Sequence, residues 1–252
     1  NAYATKEMIV ISANTLAKNY AMTMDLVQEI ILEPRWDVKE FDLIKKSTIS
    51  QIERQKAQPN SIAANEFAKL MYGEDHLLSN NNLGTTASVN AITLEDLKSF
   101  YARNFAPNIA KIHVVGAVSQ DELVASLSGL NNQWKKKDIN FPTLKDPKEM
   151  NKSKVYFYDF PGAKQSVLQF GYSALAATDN DYYAASLVNY RLGGGGFASQ
   201  LTQELRESKG YTYGIRSRFS GSNLKGTFLI SSNVRSNVTF ESTQLIKEIV
   251  ED

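Results

Sequence analysis

An α+β fold is expected of this chain on three grounds. Apolar residues recur at three- and four-residue steps in several stretches, the mark of helices with one buried face. Short β-branched or alternating runs lie between those stretches and are too brief for helices. Capping residues, glycines and prolines fall at the joins, so each stretch has a chemical start and stop. The 252 residues, 42% hydrophobic and 22% charged, are enough for one large domain or two medium ones with a sizeable core.

Lys6–Ala13 reads as a short strand. From Leu16 the apolar positions Tyr20, Met24, Val27, Ile30 and Ile31 give an amphipathic helix that Pro34 ends. Asp37 with Glu40 resembles a capping box and opens a second helix to about Gln55. Pro59 sits where a missing N–H costs nothing, ahead of a third helix, Ser61–Tyr72. Gly73–Asn90 is polar and rich in turn formers, so it reads as a loop. Thr93 and Asp96 cap a helix to about Tyr101, closed by Pro107. Lys111–Val118 is a β-branched run typical of a buried strand, and Ser119 with Glu122 caps the helix after it.

Residues 133–154 break the rhythm with Lys135-Lys136-Lys137 and two prolines, and read as a solvated linker. It separates residues 1–132 from 155–252. Beyond it, Lys154–Asp159 and Ser166–Tyr172 read as strands and Asp179–Leu192 as a helix. The run Gly193–Gly196 leads to a helix, Ala198–Ser208, stopped by Gly210 in a left-handed cap. Tyr211–Ser220 and Gly226–Val234 form a hairpin turning at Ser222-Asn223, and Thr239 opens a last helix that runs to Asp252. Helices and strands are mixed alike in both halves, which points to two related lobes.

Several functions are excluded. With 28 basic against 27 acidic residues the net charge is +1, too small for counterion release to drive nucleic-acid binding. The absence of cysteine removes thiolate catalysis, cysteine-ligated zinc and iron–sulfur clusters. No apolar run is long enough to span a bilayer. Asn1-Ala2 reads as the scar of a removed tag and the last helix is cut off. An excised segment is therefore expected, and the tag-like start favours a bacterial periplasm or envelope over the cytoplasm.

His76 and His113 lie in separate predicted elements, and neither His-x-x-Glu-His nor His-Glu-x-x-His occurs, so no complete zinc site is expected here. Gly193–Gly196 lacks the Lys-[Ser/Thr] and the spacing of a phosphate loop, and reads as a flexible hinge where backbone can approach a ligand closely. Arg206 falls near a helix end, and strict alternation would put Tyr211, Tyr213 and Ile215 on one strand face. An arginine at a helix end also complements the helix dipole, so the residues alone leave this segment undecided.

The run Leu192-Gly193-Gly194, Ser199-Gln200-Leu201, Glu204-Leu205-Arg206-Glu207, Gly210 and Tyr213 resembles the second-half signature of insulinase/pitrilysin-type zinc metallopeptidases, which include mitochondrial processing peptidase. Glu33-Pro34-Arg35-Trp36-Asp37 resembles the Pro-x-Phe-Asp start of that family's long helix. Thr85, Ile92-Thr93, Glu95-Asp96-Leu97, Phe100-Tyr101 and Val114-Val115-Gly116 resemble its late first lobe, in the family's order.

The resemblance implies two related lobes of antiparallel sheet packed with helices, each incomplete. Residues 1–132 would be the late part of one lobe and 155–252 the early part of the next. It implies a substrate-binding, non-zinc portion of a zinc endopeptidase acting on peptides, inactive alone, with no cofactor of its own and Zn²⁺ in a companion lobe or subunit. Gln51 falls at the family's third zinc-ligand position, and a neutral amide is a poorer Zn²⁺ ligand than a carboxylate. Arg206 and Tyr213 match the pair that reaches bound peptide from the non-zinc lobe. Arg206 would bind substrate carbonyls and Tyr213 would donate to the oxygen that gains charge. Tyr211 is the fallback for Tyr213, and Gly194 and Gly195 would border the substrate. Gln200 replaces the more usual Arg of Ser-Arg-Leu. Two other readings stay open: an inactive assembly subunit of the same family, and a trimmed zinc-bearing half in which Glu53 is the ligand.

Overall fold

The computed structural model describes residues 1–144, 147 and 152–251. They are α+β, in two compact units: Asn1–Glu53 with Asn82–Thr143, and Arg54–Asn81 with Leu144–Asp252.

The first unit opens with an antiparallel hairpin, β1 (Ala2–Ala4) and β2 (Ile9–Ile11). Helix α1 (Tyr20–Leu32) stops before Pro34. Helix α2 (Val38–Lys56) starts where the Asp37 carboxylate accepts the Glu40 N–H at 3.0 Å. After α3 (Pro59–Tyr72), which belongs to the second unit, come α4 (Thr86–Ala91), α5 (Leu94–Asn104), α6 (Gln120–Ser126) and α7 (Ser128–Gln133). Reciprocal side-chain caps open α4, α5 and α6, at Thr85/Ser88, Thr93/Asp96 and Ser119/Glu122. The Tyr101 hydroxyl donates to the Ile31 carbonyl at 2.6 Å, tying α5 to the end of α1, and the Trp36 ring meets Tyr101 edge-on.

Three expectations about this order are corrected. Residues 73–90 are not all loop, because Thr85 and Ser88 satisfy each other's backbone and nucleate α4. Lys111–Val118 and Lys154–Asp159 form no ladder among the described residues. Val115 and Val155 are 101% and 97% exposed, so their β propensity has no neighbouring backbone to act on. Of the expected linker, residues 145–146 and 148–151 lie outside the described residues, as does Asp252 at the end of the last helix.

The second unit is built on a three-stranded antiparallel sheet of β3 (Gln165–Ser173), β4 (Thr212–Ser220) and β5 (Thr227–Arg235), with β5 in the middle. Phe228 and Ile230 of β5 point to one face, where Leu201, Leu205, Ile215 and Ile246 complete an apolar core. That layer comprises α8 (Tyr182–Asn189), α9 (Gln200–Thr202) and α10 (Thr239–Glu251). Both α8 and α9 continue as wider, π-helical turns, Tyr190–Gly194 and Gln203–Ser208.

Helix α3 lies on the opposite face of this sheet. Phe67 occupies the space a side chain at Gly171 would need, with a Cβ there falling 2.9 Å from its Cε2, and the Tyr72 hydroxyl bonds Thr227. Burial pushes the Tyr72 phenol up, and the Thr227 bond opposes the shift more weakly.

Candidate functional site

The face of the sheet under α3 holds a groove of about 570 Å³. Gln165, Val167 and Gln169 of β3 form one wall, and Ser231 and Asn233 of β5 form the floor. Tyr213, Gly214 and Arg216 of β4 close the other side, and Asn60 of α3 reaches in from above. The lining is mostly uncharged and polar, and its side-chain amides each carry a donor and an acceptor together, as a peptide unit does. Gln169 Oε1 is buried with no hydrogen-bond partner among the described residues.

Tyr213 reaches this groove because of an irregularity in β4. Thr212 pairs with Val234 and Ile215 with Ser232, so Tyr213 and Gly214 together oppose a single residue of β5. This bulge corrects the expected alternation: Ile215 is 1% exposed in the core, whereas Tyr213 is 86% exposed and lines the groove. Tyr211 is half-buried, its N–H donating to the Leu205 carbonyl at 2.8 Å.

Arg206 stands elsewhere. Its guanidinium lies over the Phe197 ring at 4.4 Å, and its Nε is 3.4 Å from Glu207. Among the described residues, the groove lining includes Tyr213 and not Arg206, Tyr211, Gly194 or Gly195. Gly210 has φ +60°, the left-handed stop expected after Arg206.

The start of the glycine run, at Gly193, is packed rather than hinge-like. A Cβ on Gly193 would sit 2.8 Å from the Ser217 nitrogen and 2.9 Å from Leu201 Cδ1. The buried Asn189 donates to the Ser217 carbonyl at 3.0 Å and accepts from the Ser217 hydroxyl. Asn189 and Gly193 thereby cover the backbone of an edge strand that would otherwise be open to pairing.

The candidate metal positions do not converge. Gln51 is exposed on α2, and the Glu53 carboxylate accepts the Thr86 hydroxyl at 2.6 Å. His76 Nδ1 accepts the Leu78 N–H at 3.1 Å and its ring stacks on Tyr72, while His113 is exposed. No group of three His, Cys, Asp or Glu able to hold a metal occurs among the described residues, so the donor set does not fit a zinc ion. Likewise, no helix among them is long and apolar enough to cross a membrane.

Gln165, Gln169, Asn233 and Arg216 were missed as site residues from sequence. Their signal was present as polar side chains at alternate positions within strands, which marks a solvated sheet face but not which face a ligand uses.

A family model described as "Peptidase M16 inactive domain" matches residues 91–252, which include both Arg206 and Tyr213. An uncharacterized zinc protease of Mycobacterium leprae is 27% identical over 86% of this chain and 48% of its own length. The crystal structure of a peptidase M16 inactive domain from Pseudomonas fluorescens has a TM-score of 0.85 at 28% identity, covering 93% of this chain and 56% of that one. A protease from Helicobacter pylori shares the fold with a TM-score of 0.83 at 21% identity, over 94% of this chain and 57% of its own. The chain thus spans about half the length of the curated relatives it matches.

Proposed function

Because the chain belongs to the peptidase M16 inactive-domain family, we propose that it is the peptide-holding, non-zinc portion of a zinc endopeptidase and works with a companion lobe that carries the metal. The observation that carries this reading is Tyr213, turned by a strand bulge into a groove lined with amides. An extended peptide laid along β3 and β4 would meet donors and acceptors in the pattern of its own backbone. The Tyr213 hydroxyl would donate to one of its carbonyl oxygens. Arg206, outside the groove lining, keeps its planar fork of donors above Phe197 and would hold a more distant part of the same peptide. Zinc, in the companion lobe, would supply the hydrolytic chemistry.

Adding this chain to a zinc-bearing companion lobe should raise hydrolysis of a fluorogenic peptide. Tyr213→Phe should remove about 10²–10³ of that gain if the phenol stabilises developing charge, and Arg206→Ala should weaken peptide binding. An equal rate with and without the chain would overturn the reading.

The assembly-subunit reading is favoured by one observation, the neutral and exposed Gln51 at the family's ligand position. The same mixing experiment separates the two, since a scaffold would leave the rate indifferent to Tyr213. The zinc-bearing-half reading is the less favoured one, because the family model matched over residues 91–252 is that of the inactive domain.

A further inference from the structure

Charge is unevenly placed in the second unit. Strands β3, β4 and β5 contain no Asp or Glu, and their charged residues are Arg216, Arg218 and Arg235. Register puts all three on one face: Arg216 opposite Ser231, Arg218 opposite Leu229 and Arg235 opposite Gln165. That is the groove face, the one that carries Gln169 and Asn233. None of the three has an ion-pair partner among the described residues. The whole chain is only +1, so this one-signed face is not inherited from a general excess of base.

We propose that the groove selects extended peptides bearing an acidic side chain, with the Asp or Glu carboxylate paired to Arg216. The inference rests on the peptide-holding reading above and names the kind of peptide. Arg216 is the charged residue of the groove lining, and its planar donor fork matches a carboxylate in a bidentate pair. Arg218 and Arg235 lie along the same face and extend the field toward flanking acidic residues. A single-stranded nucleic acid is also an anion, but it needs a series of aromatic platforms for its bases, and among the described residues Tyr213 is the one aromatic that lines the groove.

The test is calorimetric titration of the full chain with three blocked octapeptides that differ only in a central Glu, Gln or Lys, alongside an eight-nucleotide oligouridylate. The Glu peptide should bind about five- to tenfold tighter than the Gln peptide at low salt, the gap narrowing as salt rises, with Lys weakest. Arg216→Gln should bring Glu and Gln within about twofold, and Arg216→Glu should reverse the order in favour of Lys. Equal Glu and Gln affinities, a preference that survives Arg216→Gln, or tighter binding of the oligouridylate would each overturn the proposal. If all three peptides bind alike and Tyr213→Ala weakens them together, the acid preference falls while the peptide-holding reading stands. If no peptide binds, both fall.

Discussion

One hydroxyl joins Thr212 to Gly214: Thr212 Oγ1 accepts the Gly214 N–H at 3.0 Å and donates to the Asn233 carbonyl of the neighbouring strand at 2.7 Å. Ser232 Oγ lies 3.0 Å from both Thr212 Oγ1 and the Gly214 carbonyl oxygen, so its one proton serves either of them. These bonds hold the bulge that an unbranched ladder would iron out. The direction of Tyr213, and so the makeup of the groove, depends on them.

Thr212→Val keeps the shape of the side chain and removes the hydroxyl. It should cost about 1–3 kcal/mol, because bonded backbone groups are left unsatisfied. Urea denaturation measures the loss, and peptide affinity should fall with it. Thr212→Ser should restore both.

Gly193→Ala should destabilise by about 1–3 kcal/mol through overpacking, since its new methyl would meet the backbone of Ser217. Gly116→Ala is the matched control, having nothing within 4 Å of its Cβ. Paired thermal melts should show a lowered midpoint for the first and little change for the second.

Leu205→Ala removes a side chain that is 0% exposed and shares the core cluster with Ile230 and Ile246. A loss of about 2–5 kcal/mol is expected. Because the core lies on the face of the sheet opposite the groove, peptide affinity of the remaining folded fraction should be unchanged when measured by calorimetry.

Acid should act on the first unit, and alkali on the partly buried phenols of both, Tyr101 of α5 and Tyr72 of α3. Hydrogen bonds from Thr93 hold the Asp96 carboxyl below its ordinary value, and those from Ser119 do the same for Glu122. Their contribution is present above about pH 4 and is lost as pH falls through the lowered folded values. The starts of α5 and α6 should then lose amide-exchange protection first. Burial raises the Tyr72 phenol, so its contribution is complete below about pH 10 and is lost as pH rises beyond that. Burial raises the Tyr101 phenol likewise, so protection of α3 and of α5 should fall in alkali.

What could be read along the chain was whatever a few neighbouring residues settle among themselves. The caps at Thr93 and Ser119, the proline stop after α1 and the left-handed turn at Gly210 are of this kind, and the structure has each of them. Thr85 was overlooked because its partner is Ser88 rather than an acid, inside a stretch whose polar composition imitated a loop. The ordered residues around Leu192–Tyr213 likewise carried the family, since a motif is a local string.

Strand pairing and facing were not local. Lys111–Val118 and Lys154–Asp159 have the composition of strands, but a ladder needs a second backbone and they have none among the described residues. Alternation assigned Tyr213 to the side of Ile215, and the extra residue in β4 sent them to opposite faces. Arg206 and Tyr213 were grouped by proximity in the string, whereas Phe197 claims the one and the amide groove the other. Hydrogen bonding between β4 and β5 sets which way each side chain points, and that register is a property of two segments in contact, carried by neither alone.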